Sequence, residues 1–386
     1  MANKTLIRIT TVPISLEKLL SGQLQFMSDY YKVIAISSEK ENLENLGNKI
    51  KVATFYANLT RQITPVKDFL ALIRLFLYFK KTNPFIVHTH TPKAGTIGMM
   101  AAKLAGVPNR LHTVAGLPLL EIEGKKRTLL DFVEKLTYRC ATHVYPNSKG
   151  LRDIIIQNNY CLPEKLKVIA NGSSNGIDTN YFNPEIFTSQ QTTSLKNELG
   201  IMPNDFVFIF VGRLVKDKGI NELVNAFQKL HSKYNTIKLL LVGDYETHLD
   251  PLFPETLEVI AANNAILTTG FQYDVRPYFA IADALVFPTY REGFPNVVMQ
   301  AGAMGLPSIV TNINGCNEII IESENGKIIP VKNEKAIFDA MNSFIENDSM
   351  LEIMRQNARK MIVNRYEQNV VWKAILEEYN SFENNV

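Results

Sequence analysis

The chain has 386 residues, of which 46% are apolar and 20% charged, and its formal net charge at pH 7 is +3. Single hydrophobic cores stop growing near about 250–300 residues, so this length predicts two domains, and the composition argues against a disordered chain. The small, dispersed positive charge argues against nucleic acid as a partner. The three cysteines lie outside any C-x-x-C spacing, which favours a reducing cytosol and no zinc site.

The N-terminal sequence M-A-N-K-T-L-I-R-I-T-T-V predicts a short strand and no secretion signal, because Arg8 interrupts the apolar run. No stretch reaches the roughly 18 apolar residues of a membrane-spanning helix. We therefore expect a cytoplasmic protein whose membrane contact is at most peripheral, at the inner face.

Short apolar runs alternate with helical patterns through the first half of the chain. Strands are predicted at residues 6–10, 32–37, 51–56, 85–90, 110–114, 143–146 and 166–170. Helices are predicted between strands at residues 16–29, 65–80, 94–105, 127–139 and 150–157. This alternation indicates a parallel sheet with helical crossovers.

A second alternation follows a polar stretch at 183–194 that is typical of an inter-domain linker. Strands are predicted at residues 206–211, 237–242, 265–269, 284–288 and 307–311, with a helix at 219–234 and further helices from 334 onward. The predicted fold class is α/β, with two Rossmann-like, doubly wound parallel-sheet domains facing across a cleft. We expect these domains at residues 1–184 and 195–365, with a C-terminal helix at 366–386 packing back toward the first.

The loop G-R-L-V-K-D-K-G at 212–219 follows a predicted strand and opens a helix. It holds Arg213, Lys216 and Lys218. Arginine can fork two phosphate oxygens while lysine supplies a compact charge, so the loop suits a diphosphate. A solvated basic turn is the alternative.

A second loop, at 289–295, precedes a helix that we expect to begin near Asn296, where backbone amides favour negative charge. Glu292 would repel a diphosphate, but it could accept hydrogen bonds from sugar hydroxyls beside the phosphates. A surface glutamate on a turn is the alternative.

These segments resemble the donor-binding half of the family 4 glycosyltransferases, which are retaining enzymes with two Rossmann-like domains in the GT-B fold. The likeness rests on V-G-R-L-V-K-D-K-G at 211–219, L-V-G-D at 241–244, G-F-Q-Y-D-V at 270–275 and A-D-A-L-V-F-P-T-Y-R-E-G-F-P-N-V at 282–297. By this resemblance Arg213 and Lys218 bind the diphosphate and Glu292 the donor sugar, all three acting in catalysis. The implied nucleotide-sugar site comprises Gly212, Arg213, Lys218, Gly243, Phe271, Gln272, Tyr273, Gly293, Phe294, Pro295, Asn296, Val297 and Gln300.

The sequence departs from the family pattern at two positions. Gln300 replaces a second glutamate that the resemblance implies for the ribose hydroxyls. The resemblance implies that the first domain binds the acceptor and the second the nucleotide sugar. The first half also matches the family, at H-T-H-T-P-K-A-G (88–95), H-T-V-A-G-L-P (112–118) and E-K-L-T-Y (134–138), but Ala115 stands where the family often has a histidine. We take His90 and His112 as candidate catalytic substitutes and expect His88 in the core.

No D-x-D pair is present, so we expect no metal and no cofactor. The expected activity is transfer of a hexose or N-acetylhexosamine from a UDP-sugar to a saccharide acceptor on undecaprenyl diphosphate, in capsule, O-antigen or exopolysaccharide biosynthesis. The alternatives are a sugar-nucleotide epimerase or hydrolase of the same fold, or a non-catalytic sugar-nucleotide-binding protein.

The predicted helix at 65–80 is apolar around most of its circumference and carries flanking cations. Such a helix is either buried in the core or lies half in an anionic lipid surface. The sequence leaves both possibilities open.

Overall fold

The computed structural model describes residues 4–60, 62, 64–117, 119, 122–248 and 250–383. The chain divides into two compact units, one formed by Met1–Gly176 with Asn369–Val386 and the other by Ile177–Gln368. Within the ranges just given, no helix has the length and apolar character needed to cross a bilayer.

The first unit alternates strands and helices, and its described part holds one six-stranded sheet. The elements are β1 (Thr5–Ile9), α1 (Pro13–Leu19), α2 (Gln23–Ser28), β2 (Lys32–Ser37), α3 (Lys40–Ile50), β3 (Ala53–Tyr56), α4 (Pro65–Thr82), β4 (Ile86–Thr89), α5 (Pro92–Ala105), β5 (Asn109–Val114), α6 (Gly124–Cys140), β6 (His143–Pro146) and α7 (Lys149–Gln157). The strands are parallel in the order β3-β2-β1-β4-β5-β6. This is the strand order of dinucleotide-binding folds.

The second unit repeats the same plan. Its elements are α8 (Ser189–Glu198), β7 (Phe206–Val211), α9 (Ile220–His231), β8 (Ile237–Val242), α10 (Pro254–Ala262), β9 (Ile266–Thr268), α11 (Arg276–Ala280), β10 (Ala284–Phe287), α12 (Asn296–Ala303), β11 (Ser308–Thr311), α13 (Cys316–Ile319), β12 (Gly326–Ile329), α14 (Glu334–Glu346) and α15 (Asp348–Tyr366). The described strands form a parallel sheet in the order β12-β11-β10-β7-β8-β9. The prediction of an α/β fold with two doubly wound parallel-sheet domains is confirmed.

The core strands are short apolar runs because helices cover both faces of each sheet. In β1, alternate side chains enter two different clusters: Ile7 packs in a cluster with residues of α4 to α7, and Leu6 in one with residues of α1 to α3. The last helix, α16 (Gln368–Ser381), contributes Val371, Ile375 and Tyr379 to the second cluster. The C-terminal helix is therefore a structural part of the first unit.

Two predicted elements of the first half are wrong. Residues 166–170 form no strand, and Leu166 makes only an isolated bridge with Val144. The single helix predicted at 16–29 is two helices, because Gly22 has a φ of 75° and breaks the helical turn between them.

The predicted linker at 183–194 is also wrong. Residues 189–194 belong to α8, and the whole stretch lies inside the second unit. This helix begins with a capping box in which the Thr188 side chain accepts from the Gln191 amide and the Gln191 side chain accepts from the Thr188 amide. The chain instead leaves the first unit after Gly176.

Candidate active site

The two candidate loops of the second unit lie at the point where the strand order reverses. β7 and β10 are neighbours in the sheet, and the next strands in the chain lie on opposite sides of this pair. Open parallel sheets bind ligands beyond the carboxyl ends of strands at such a point. The loop at 212–219 follows β7 and the loop at 288–295 follows β10.

Backbone contacts hold these two loops together. The Tyr290 amide donates to the Asp217 carbonyl at 2.9 Å. Gly219 has a φ of 71°, and a Cβ there would lie 2.2 Å from the Pro288 carbonyl oxygen, so only glycine fits this close approach. The loops therefore form one surface.

Lys218 and Glu292 meet on this surface. The Lys218 ammonium donates to Glu292 Oε1, and the two side chains are 15% and 21% exposed. Lys218 Nζ also lies 5.8 Å from the centroid of the Phe287 ring. A cation and a carboxylate side by side, partly shielded from water, can present a positive charge to a phosphate and acceptor oxygens to sugar hydroxyls.

The other members of the basic loop are more exposed. Arg213 NH1 lies 2.5 Å from Glu246 Oε2, and its side chain is 54% exposed.

The Gly212 amide donates to the Val242 carbonyl and the Gly243 amide to the Gly270 carbonyl, each at 2.9 Å. These bonds hold the loops after β7, β8 and β9 side by side.

The segment after β9 presents an aromatic surface. Phe271 and Tyr273 are exposed, Tyr273 to 98%, and their rings are 4.9 Å apart. The Phe271 amide donates to Asp244 Oδ1 at 2.8 Å, and Gln272 Nε2 donates to the Thr269 carbonyl at 2.9 Å. Such rings could stack on a nucleotide base.

α12 begins at Asn296, as predicted, and no side chain caps its N-terminus at Pro295. The Val298 amide donates to the Pro295 carbonyl, so the amides of Asn296 and Val297 are the ones available to an anion. Gln300 lies further along this helix and is half-buried, as is Val297. Phe294 packs against Tyr366, with ring centroids 5.4 Å apart, so its side chain supports the loop.

Sequence reasoning did not predict the contacts that Asn314 makes in this site. Asn314 Nδ2 donates to the Glu292 carbonyl at 2.6 Å and to the Gly293 carbonyl at 3.2 Å. The signal for it is the N-G pair shortly after the predicted strand at 307–311, at the same sheet end as Glu292. Asn314 fixes the backbone that carries the Glu292 side chain.

Cys316 is buried close to the charged pair. Burial, and then the negative charge of Glu292, raise the pKa of its thiol well above the usual range. The thiolate required for nucleophilic attack is therefore suppressed.

In the first unit, the two candidate catalytic histidines, His90 and His112, are both buried. His112 lies within β5, and its Nδ1 is 2.7 Å from Thr89 Oγ1. Burial lowers the pKa of His112 to about 4. His88 is buried, as predicted.

Arg8 determines the tautomer of His90. Arg8 Nε donates to His90 Nε2 at 3.0 Å, so the ring proton of a neutral His90 is on Nδ1. Burial and the neighbouring His88 and Arg8 lower the pKa of His90 well below the usual range. His90 is therefore a neutral ring whose basic nitrogen is already occupied, which disfavours a role as general base.

In the part of the chain that the structure describes, no cluster of three His, Cys, Asp or Glu side chains could hold a metal ion.

The family model for "Glycosyl transferases group 1" matches residues 191–361, and that for "Glycosyl transferase 4-like" matches residues 17–148. The capsular polysaccharide biosynthesis glycosyltransferase CapM of Staphylococcus aureus is 33% identical over 384 residues, covering 99% of this chain and 98% of its own. The chain belongs to the family 4 glycosyltransferases. It is thus an enzyme of the GT-B class, and the predicted family is confirmed.

A second curated protein and a solved structure are also similar to this chain. The UDP-Gal:α-D-GlcNAc-diphosphoundecaprenol α-1,3-galactosyltransferase of Escherichia coli is 32% identical over 318 residues, covering 81% of this enzyme and 80% of its own chain. A glycosyltransferase structure from Rickettsia africae matches the fold with a TM-score of 0.83 and 20% identity, covering all of both chains.

Proposed function

We propose that this enzyme transfers a hexose or N-acetylhexosamine from a UDP-sugar to a saccharide carried on a polyprenyl diphosphate, in the assembly of a capsular or related polysaccharide. The observation that carries the proposal is the Lys218–Glu292 pair at the switch point of the second sheet. The names of the two relatives support the substrate classes, since one acts in capsule biosynthesis and the other uses UDP-Gal and an undecaprenyl-linked acceptor.

The cationic groups and Glu292 would bind different parts of the donor substrate. Lys218 and Arg213 would bind the diphosphate together with the first amides of α12, and stabilise the charge that develops when the sugar leaves. Glu292 would accept hydrogen bonds from the sugar hydroxyls. The C1–O bond to phosphate breaks, the C1–O bond to the acceptor forms, and the departing phosphate oxygen takes the acceptor proton. This same-face attack retains the anomeric configuration and needs no metal.

Contact with a membrane is a second part of the proposal. The fully buried residues of α4 are Ala71, Leu75 and Phe79, which lie on one face of the helix. The helix is therefore buried on that face and not around its whole circumference. Its outer face exposes large apolar side chains: Val66, Phe69, Leu70, Ile73 and Leu77.

The charges on α4 indicate which surface this apolar face meets. Lys67, Lys80 and Lys81 are exposed on the same helix. Apolar side chains flanked by lysines suit an anionic bilayer surface, where a polyprenyl-linked acceptor resides. We propose that α4 docks there.

Acceptor-dependent release of UDP tests the proposed activity. The enzyme is incubated with UDP-glucose, UDP-galactose, UDP-GlcNAc or UDP-GalNAc, with α-D-GlcNAc diphosphate on a short polyprenyl chain as one acceptor among a panel, in the presence of EDTA. We expect at least one pair to release UDP and form an elongated lipid-linked saccharide. UDP release without acceptor would show a hydrolase, and an interconverted UDP-sugar would show an epimerase; either result contradicts the proposal.

A further inference from the structure

The first unit holds a buried cation that none of its described neighbours neutralises. Arg8 lies in β1 and is fully buried. Its Nε, NH1 and NH2 groups donate to His90 Nε2, the Tyr379 hydroxyl and Gln23 Oε1, which are all neutral acceptors. Among the described residues, no Asp or Glu forms an ion pair with it. A buried charge is costly unless it is paired, and arginine stays protonated in proteins. A negative charge beside Arg8 would therefore stabilise this unit.

A small cavity adjoins this cation. Its volume is about 20 Å³, and its wall includes Arg8, His90, Thr113 and Asn147. Ile375 of α16 is also part of the wall, so the cavity lies under this helix. A cavity of this size has room for one water molecule or one monatomic ion.

The hydrogen bonds around the cavity turn donors toward it. The Tyr379 hydroxyl accepts from Arg8, so its own proton is left for His88 Nδ1, 2.6 Å away. Burial lowers the pKa of the His88 ring well below its usual range, so the ring is neutral and its proton is on Nε2. His88 Nε2 donates to Thr113 Oγ1 at 2.7 Å. The hydroxyl proton of Thr113 is then left for a ligand in the cavity.

Other groups of the cavity wall also have hydrogen-bonding capacity to spare. The neutral His90 ring carries its proton on Nδ1, and within the described residues this buried atom has no partner. Arg8 uses three of its five N–H groups. Asn147 Oδ1 is a buried acceptor without a described partner, but rotation of this amide turns its NH2 group to the cavity, at the loss of a long, 3.4 Å bond to the Ala115 carbonyl. Donors therefore outnumber acceptors, which favours an anion over a water molecule.

We propose that this cavity binds a single monatomic anion, with chloride as the probe, and that the anion neutralises Arg8 and stabilises the packing of α16 on the sheet. Arg8, His90 and Thr113 would donate to it. Because Tyr379 of α16 belongs to the same chain of hydrogen bonds, the anion would link this helix to β1 and β4. The proposal is independent of the sugar-transfer reaction.

Thermal unfolding of the intact enzyme in chloride and in gluconate tests the anion site. Gluconate is too large for the cavity, so the small anion can be exchanged at constant ionic strength. Trp372 of α16 reports on this unit, because its Nε1 donates to Asn175 Oδ1 at 2.8 Å. We expect the Tm followed by Trp372 fluorescence to be about 3 °C or more higher in about 200 mM chloride, and bromide should act similarly. Equal Tm values in chloride and gluconate would contradict the proposal.

Asn147→Asp places a carboxylate in the cavity wall, where it should replace the anion. The Tm of this variant should no longer depend on chloride. Asn45→Asp is the matched control, since Asn45 is exposed on α3 of the same unit, and it should keep the chloride dependence of the wild type. The same dependence in both variants would show binding at the surface and overturn the proposal.

Crystals of the wild type soaked in bromide give a second measurement if Asn147→Asp does not fold. An anomalous-scattering peak beside Arg8 and Thr113 is the expected result. The absence of a peak in the cavity would overturn the proposal.

Discussion

At the residue scale, Glu292 and Lys218 are expected to act on different parts of the donor. Glu292→Gln removes the charge that would accept hydrogen bonds from sugar hydroxyls, so we expect kcat/KM for the UDP-sugar to fall about 10–100-fold. UDP itself lacks the sugar, and its affinity should not fall. Calorimetry with UDP and initial rates with the UDP-sugar measure the two effects.

Glu324→Gln is the control for this substitution, because Glu324 is exposed in the same unit and the Asn357 side chain contacts only its carbonyl. It should behave like the wild type. Equal losses of UDP affinity and turnover in Glu292→Gln would argue that Glu292 shapes the whole loop instead of contacting the sugar.

Gln300 is a milder departure from the family pattern. A hydrogen bond to a charged group contributes about 1 kcal/mol more than one to a neutral group, which is about five-fold in affinity. Gln300→Glu should therefore remain active and bind UDP about five-fold more tightly if this residue contacts the ribose. Complete loss of UDP binding in this variant would show a different role for position 300.

The sequence could predict the residue types of the site but not every contact. Lys218 and Glu292 could be predicted because each lies in a loop directly after a buried strand. The structure places both side chains on one surface. The burial of His90 could not be predicted, because its partner Arg8 lies 82 positions away and comes together with it only in the sheet. Asn314 was missed for the same reason, since its hydrogen bonds reach back more than twenty residues.

At the element scale, the loop between β11 and α13 supports the loop that carries Glu292. Asn314→Ala removes two hydrogen bonds to the Glu292 and Gly293 carbonyls, so we expect a loss of about 1–2 kcal/mol in the free energy of unfolding. Because the Glu292 backbone is then less fixed, kcat should fall at least ten-fold, more than the stability loss explains. Urea unfolding and initial rates at saturating donor measure both.

Asn317→Ala is the matched control, since Asn317 is exposed and, among the described residues, its side-chain amide donates only to the Asn312 side chain. We expect little change in either quantity. A normal kcat in Asn314→Ala would mean that the loop holds its position without this side chain.

The outer face of α4 makes a second prediction at this scale. Phe69→Glu with Leu70→Glu places two carboxylates among exposed apolar side chains, so binding to vesicles containing phosphatidylglycerol should fall at least ten-fold. Ile353→Glu, at an exposed apolar position of α15 in the second unit, is the control and should bind normally. Co-sedimentation at low salt measures binding. If the wild type does not bind these vesicles, α4 is not a membrane-docking helix.

Elements were predictable where the hydrophobic pattern was strong. The strands at 32–37, 143–146, 206–211 and 237–242 match because most of their residues are buried. α3 and α8 were missed because they are mostly polar, with few or no fully buried side chains. The strand predicted at 166–170 is wrong because a short apolar run does not specify pairing with a neighbouring strand. In the structure its Leu166 makes a single isolated bridge with Val144.

At the scale of the whole molecule, the two units should respond differently to acid. His88, His90 and His112 are buried in the first unit, and burial lowers the pKa of each. The unfolded chain takes up their protons below about pH 6.5 while the folded unit does not, so stability falls as pH drops through that value. For His112, with a pKa of about 4, the loss at pH 5 is about 2 kcal/mol.

Tryptophan fluorescence can follow this effect, because the one tryptophan of the chain, Trp372, lies in the first unit. The urea midpoint reported by Trp372 should be lower at pH 5 than at pH 7. His112→Gln removes one titrating group and should reduce the difference. Equal midpoints at the two pH values would show that these histidines do not remain neutral in the folded unit.

We propose above all that the second unit binds the diphosphate of a nucleotide sugar through Lys218 without a metal. Calorimetric titration of UDP into the wild type in EDTA, and into Lys218→Ala and Lys216→Ala, tests it most directly. Lys216 belongs to the same loop, but its Nζ lies 5.2 Å from the centroid of the Phe253 ring, and it is not part of the Lys218–Glu292 ion pair. We expect one site in the wild type, affinity at least ten-fold weaker in Lys218→Ala, and little change in Lys216→Ala. Failure of the wild type to bind UDP in EDTA, or equal losses in both variants, would contradict the account.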